Sequence, residues 1–173
     1  PAAFQGFTVP PRSVETIAIA ELGARDEPVI AVEILAERGR LVAGQAQHYL
    51  GGGRLGYDVS LGAPALRDQF WFADGEIGDG ITQTFSIYNP TANDVQVDAV
   101  FLGLPADANV SDVPPIEVPA GRVVVFDPSA DDVAAGLPDG RHATVFSTLA
   151  EPSVVVERVL TRPAGDRVAT SVV

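Results

Sequence analysis

Three carboxylates crowd a glycine-rich stretch, Ala73-Asp-Gly-Glu-Ile-Gly-Asp-Gly80, and they are the first residues whose spacing suggests chemistry. Asp74, Glu76 and Asp79 stand near alternate positions with glycines between them, an arrangement of oxygen ligands that suits a hard cation such as calcium. The stretch lacks the twelve-residue spacing and terminal Glu of an EF-hand. The simpler reading is a solvated turn whose acids keep a sheet edge soluble. A second acidic group, Asp127, Asp131, Asp132 and Asp139, flanks a short helical pattern. Paired carboxylates serve as acid and base in glycoside hydrolysis, but nothing in the spacing sets two of these across one cleft, so solvated helix-end charges are the expectation.

Phe70, Trp71 and Phe72 form the one aromatic run. Exposed aromatic rows stack on sugars or on protein partners. Strand alternation sets Trp71 opposite its two neighbours, so at least one side of the run belongs to a core. His48, beside Tyr49, and His142, beside Arg141, have no candidate co-ligands and read as ordinary surface or strand residues. No Gly-x-Ser-x-Gly, P-loop or dinucleotide fingerprint occurs in a strand-turn-helix context, and Gly51-Gly-Gly53 reads as a flexible reversal between strands. No catalytic set and no cofactor site emerge, so the chain is expected not to be an enzyme.

These residues sit in a chain of 173, one domain or a domain and a half at roughly 100 to 200 residues per domain. Apolar residues make up 46% and charged residues 20%, which excludes wholesale disorder and a coiled coil. Cys is absent, which removes disulfides, thiolate zinc sites and cysteine nucleophiles. All 11 basic residues are Arg, and the net charge is −12. Such a balance argues against nucleic acid as a partner, because neutralising phosphates needs a basic patch. No apolar run approaches the roughly 18 to 20 uncharged residues of a membrane span. The chain opens Pro1-Ala2-Ala3 without a basic-then-apolar leader, so any export signal is expected upstream.

The elements that must carry the residues are short and two-residue in period. Ile81-Thr-Gln-Thr-Phe-Ser-Ile-Tyr88 sets Ile81, Gln83, Phe85 and Ile87 against Thr82, Thr84, Ser86 and Tyr88, a strand with one face in the core. Val95-Gln-Val-Asp-Ala-Val-Phe101 repeats the pattern. Between them Asn89-Pro-Thr-Ala-Asn-Asp94 is a turn by mechanism, since Pro90 fixes φ and Asn and Asp side chains bond their own backbone. Arg122-Val-Val-Val-Phe126, His142 to Thr148 and Ser153 to Thr161 are β-branched runs bounded by Pro and Gly. Only Ser129 to Gly136 looks helical, with Ser129 as cap and Gly136 as closure. Residues 28–40 fit strand or helix, and the repeat described next favours strand.

The two ends of the chain rhyme. Phe7-Thr-Val-Pro10 with Arg12 matches Ile116-Glu-Val-Pro119 with Arg122; Leu35-Ala-Glu37 matches Leu149-Ala-Glu151; and Leu50-Gly-Gly-Gly-Arg54 with Asp58-Val-Ser60 matches Leu160, Pro163-Ala-Gly-Asp-Arg167 and Ala169-Thr-Ser171. The order is collinear at a spacing of about 110, the size of an immunoglobulin-like unit. The fold class expected is all-β: an immunoglobulin-like antiparallel β-sandwich in tandem, with residues 1–61 the second half of one unit and 62–173 a complete one. Half a sandwich leaves an open edge and an uncovered face, so residues 1–61 must pack on the complete unit, pair with another chain, or lack a partner segment. Packing on the complete unit is the expectation.

At Phe85-Ser-Ile-Tyr-Asn-Pro90, Val95-Gln-Val97, Ile116-Glu-Val-Pro119 and Ser153-Val-Val-Val-Glu-Arg158, the sequence resembles the β-sandwich repeats of an uncharacterised family of secreted actinobacterial cell-envelope proteins. The resemblance implies an exported, non-enzymatic protein located outside the cell or in its envelope, with a protein or envelope glycan as the class of partner. It departs from antibody-type domains in lacking a Cys pair and in placing its single Trp ahead of the hairpin. Two functions follow as expectations: a structural or interaction module, and a carbohydrate-binding module that uses Phe70, Trp71 and Phe72 or the acidic loops.

Overall fold

Alternation fixes the strands, and the side on which each buries its apolar residues fixes the layers. The computed structural model describes residues 5–22, 29–51, 54–104, 113–130, 137–149 and 151–173. Among these residues ten strands run β1 (Gly44–Gly51), β2 (Arg54–Leu61), β3 (Gln69–Ile77), β4 (Thr82–Asn89), β5 (Val95–Leu102), β6 (Ile116–Val118), β7 (Arg122–Phe126), β8 (Gly140–Thr148), β9 (Val155–Ala164) and β10 (Arg167–Val172). They form a six-stranded sheet in the order β1-β2-β10-β9-β4-β7 and a four-stranded sheet in the order β3-β8-β5-β6. Among the described residues every strand pairing is antiparallel except one parallel bridge, Val168 with Arg54, between β10 and β2. The result is an all-β, immunoglobulin-like antiparallel sandwich.

The core is the space between the sheets. In β4 every second residue is buried, Gln83, Phe85, Ile87 and Asn89, and these face Leu160, Arg158 and Val156 of β9 in register. From the four-stranded sheet come Phe72, Val97, Ala99, Phe101 and Phe146. Phenylalanine rings interlock at the centre: Phe85 lies 4.7 Å from Phe146 and 5.2 Å from Phe72, both edge-on, the geometry the ring quadrupole favours.

The turn between β4 and β5 is built as its residue types dictate. Asn89 is fully buried, and its amide donates to the Asn93 and Val118 carbonyls at 2.8 and 2.9 Å. Its Oδ1 accepts from the Thr91 backbone N–H and hydroxyl. The side chain thereby satisfies backbone groups that the turn would otherwise leave without partners.

The chain divides into two compact units between Val32 and Glu33. The first unit holds a 3-10 turn, Ile19–Leu22, and Arg12 at φ 59°, where Ser13 donates from both N–H and hydroxyl to the Pro10 carbonyl. The second unit contains all ten strands. Within it the β1–β2 hairpin stands in the same relation to the sequence rhyme as the β9–β10 hairpin, and it extends the six-stranded sheet beyond β10. The other rhyming segments differ: residues 29–40 and 7–10 form no strand. Their apolar side chains are largely exposed, among them Ile34, Leu35, Phe7 and Val9. The expected helix falls mostly on 131–136, outside the described residues; its start is a turn in which Asp127 Oδ1 accepts from the Ser129 N–H and hydroxyl.

Candidate functional site

The acid-rich stretch is strand where the sequence suggested a turn. β3 continues through Asp74 and Glu76 to Ile77, interrupted by a bulge between Phe72 and Gly75. The reason lies on β9. Arg162 Nε donates to Glu76 Oε2 at 2.7 Å and its Nη2 reaches Asp74 Oδ1 at 3.1 Å, so one guanidinium joins the two sheets at one end of the sandwich. That hydrogen bond holds the Asp74 carboxyl below its usual range and raises Arg162. Asp79 lies beyond, exposed in the turn after β3. Among the described residues no three His, Asp or Glu side chains converge as a metal-binding group.

Beneath this pair the interior is polar. Arg158 is buried with its guanidinium 5.6 Å above the Phe72 ring, and its Nη1 donates to the Asp74 carbonyl. Gln83 accepts from the Glu76 N–H through Oε1 at 3.0 Å and meets His142 Nε2 through its own amide nitrogen at 3.1 Å. His142 is buried, edge-on to Phe101 at 5.2 Å. Burial lowers its pKa, the Gly140 backbone opposes the shift, and Arg158 adds to it. These groups lock the β3 bulge against the opposite sheet, and their arrangement is that of a structural staple.

The aromatic run divides as alternation requires. Phe72 is buried and Phe70 packs against the core, while Trp71 points outward and is 66% exposed. On that outer face Trp71 stands in register with Val145 of β8, which stands in register with Val100 of β5. Val145 is only 8% exposed, and Val100 and Leu102 are exposed beside it. The neighbouring row is polar: Gln69, Ser147 and Asp98 pair across the same three strands. Further along the sheet an open depression is lined by residues including Gln96, Glu117, Thr148 and Leu149. An apolar stripe flanked by carboxamide, hydroxyl and carboxylate groups is suited to contact and holds no paired acid and base.

Sequence reasoning set Trp71 opposite Phe70 and Phe72 without deciding which side is core, and the structure turns Trp71 to solvent. Sequence reasoning missed Arg158, Arg162 and Gln83 as partners of the acids. A signal was present: two Arg residues four apart on one face of a β-branched strand need carboxylates or carbonyls opposite them.

No protein-family model matches the chain, and no curated protein does. Among solved structures, the chain is similar to the crystal structure of Thermotoga maritima 1070 at 14% identity and a TM-score of 0.51, over 64% of this chain and 93% of that one. It is also similar to the Anabaena sensory rhodopsin transducer at 24% identity and a TM-score of 0.44, over 60% of this chain and 95% of that one. Among the described residues no helix is long and apolar enough to cross a membrane. The likeness to the Thermotoga maritima protein is one of fold.

Proposed function

We propose that this chain is a non-enzymatic interaction module of an exported cell-envelope protein, and that its contact surface is the outer face of the four-stranded sheet. The observation that carries the reading is the exposure of Trp71 in register with Val145 and Val100, an apolar stripe rimmed by polar side chains. Such patches on a soluble domain mark contact sites, and Trp is enriched among the residues that dominate binding energy. Three of the acids considered for chemistry are engaged within the fold, Asp74 and Glu76 by Arg162 and Asp127 in its own turn, while Asp131 and Asp132 lie outside the described residues.

A second reading, a carbohydrate-binding module, draws on the row Gln69, Ser147 and Asp98 beside Trp71. An indole takes the apolar face of a pyranose while neighbouring polar groups take its hydroxyls. Trp71 is the single Trp of the chain, so its emission reports on this face alone. Titration with envelope polysaccharide and a glycan array separates the two readings. Sugar binding that changes Trp71 emission and disappears in Trp71→Ala selects the second; retention of the protein by a sugar-stripped envelope protein fraction, lost in Trp71→Ala, selects the first. Equal retention of wild type and Trp71→Ala in both assays overturns both.

A further inference from the structure

Among the described residues the two sheets end on four strands, and three of these edges are guarded. β6 is three residues long between Pro115 and Pro119; β7 is five residues long, opening on Arg122 and followed by Asp127 and Pro128; β3 is broken by its bulge and carries Asp74 and Glu76. Short length, proline, charge and bulges are the devices by which edge strands avoid pairing with other chains. β1 has none of them. It is eight residues, Gly44 to Gly51, paired with β2 in unbroken register, free of Pro and of formal charge, and it is the end strand of its sheet.

The hairpin is also turned so that its polar side faces the rest of the sandwich. Gln45 and Gln47 donate to the Glu157 carboxylate, and Asp58 Oδ2 accepts from the Val172 N–H at 2.8 Å. The opposite side presents Ala46, His48, Tyr57, Val59 and Leu61, all exposed, with His48 edge-on to Tyr57 at 6.1 Å. A protein of charge −12 repels its own copies almost everywhere. This charge-free face and edge is where two copies approach at least cost, and the edge of an antiparallel strand is self-complementary about a two-fold axis.

We propose that β1 pairs antiparallel with β1 of a second copy, joining two six-stranded sheets into one continuous sheet with the Ala46, His48 and Tyr57 side of the hairpin at the junction. Sedimentation across a range of concentrations and salt tests it. The expected result is a species of twice the chain mass whose share rises with salt, because screening weakens the −12 repulsion while leaving strand pairing intact. Ala46→Glu with His48→Glu sets like charges across the axis and is expected to weaken the dimer at least tenfold with an unchanged β-sheet circular-dichroism spectrum. Because the chain has no Cys, His48→Cys gives a second readout: a short bismaleimide should link two chains through position 48, whereas Val125→Cys on β7 should not link. A monomer at every concentration and salt, including one that adds a foreign peptide strand at β1, overturns the proposal, as does a dimer that survives the double substitution and links through position 125.

Discussion

His142 Nε2 lies 3.1 Å from the side-chain nitrogen of Gln83, and this relationship fixes the protonation state of the imidazole. An amide nitrogen only donates, so Nε2 must accept, and the ring is neutral with its proton on Nδ1. The orientation of Gln83 is set in turn by the Glu76 N–H, which its oxygen accepts at 3.0 Å.

Protonating His142 therefore breaks the contact with Gln83 and sets a cation near Arg158 in the interior. The folded-state pKa is depressed, chiefly by burial. The unfolded chain binds the proton more readily, so stability is full above the unfolded value of about 6.5 and is lost as pH falls below it. Glu157 acts in the opposite sense. Its carboxyl is raised by burial, so it loses stability as pH climbs above the ordinary carboxylate range. Comparing wild type with His142→Gln isolates the histidine, since the new carboxamide can still accept from Gln83. Chemical denaturation between pH 7.5 and 5 should show wild type losing stability relative to the variant. Parallel profiles would refute the neutral buried imidazole.

Gly75 is the residue that lets the bulge close over this pair. A Cβ built there would stand 2.6 Å from His142 Nε2 and 2.9 Å from Gln83 Oε1. Gly75→Ala should cost about 1–3 kcal/mol through overpacking, lowering the melting temperature by roughly 2–4 °C per kcal/mol for a domain of this size. Gly78→Ala is the control, because its Cβ would meet only the Ile81 side chain at 3.5 Å, and its melting temperature should stay close to that of wild type.

Arg162 spans two sheets, but its partners are partly solvated, with side-chain exposures of 32% for Arg162, 23% for Glu76 and 60% for Asp74. Screening limits its worth, so Arg162→Ala should cost about 0.5–1 kcal/mol at low ionic strength and less in high salt. Thermal melts of both proteins at two salt concentrations check the difference. Millimolar calcium should leave the wild-type melt unmoved, because the two carboxylates of β3 already face a guanidinium.

Much of this fold was legible where the strand pattern and the turn chemistry agreed. Phe85 and Ile87 alternate with Ser86 and Tyr88, and Asn89 with Pro90 announces the reversal, so β4, β5 and their turn follow from local rules. Alternation likewise separates Trp71 from Phe70 and Phe72, and the structure decides the side, with Phe72 buried and Trp71 exposed. The acid-rich end was not legible, since a run with Asp74, Gly75 and Glu76 has poor strand propensity and becomes strand only because Arg162, 86 residues from Glu76 in sequence, meets it across the sandwich. The orientation of the β1–β2 hairpin follows from a related cause. Tyr57, Val59 and Leu61 alternate as core residues should, yet the side turned inward is the one that can bond Glu157 and the Val172 N–H. Residues 29–40 carry a pattern compatible with two structures and adopt neither regular form.

Asn89 separates the effect of shape from that of hydrogen-bond direction. Its buried amide donates to two carbonyls, those of Asn93 and Val118, while its oxygen accepts from Thr91. Asn89→Ala removes all of these and should cost about 1–3 kcal/mol for the polar groups left without partners. Asn89→Asp keeps the shape and the acceptor, yet it turns an oxygen toward two carbonyl oxygens and buries a charge with no cation hydrogen-bonded to Asn89. At pH 7 it should therefore be less stable than Asn89→Ala, and it should recover as pH falls toward the carboxyl pKa, because the protonated acid restores one donor. Denaturation of the two variants at pH 7 and pH 5 decides the point. If Asn89→Asp is the more stable at pH 7, the donated bonds to Asn93 and Val118 do not hold the corner.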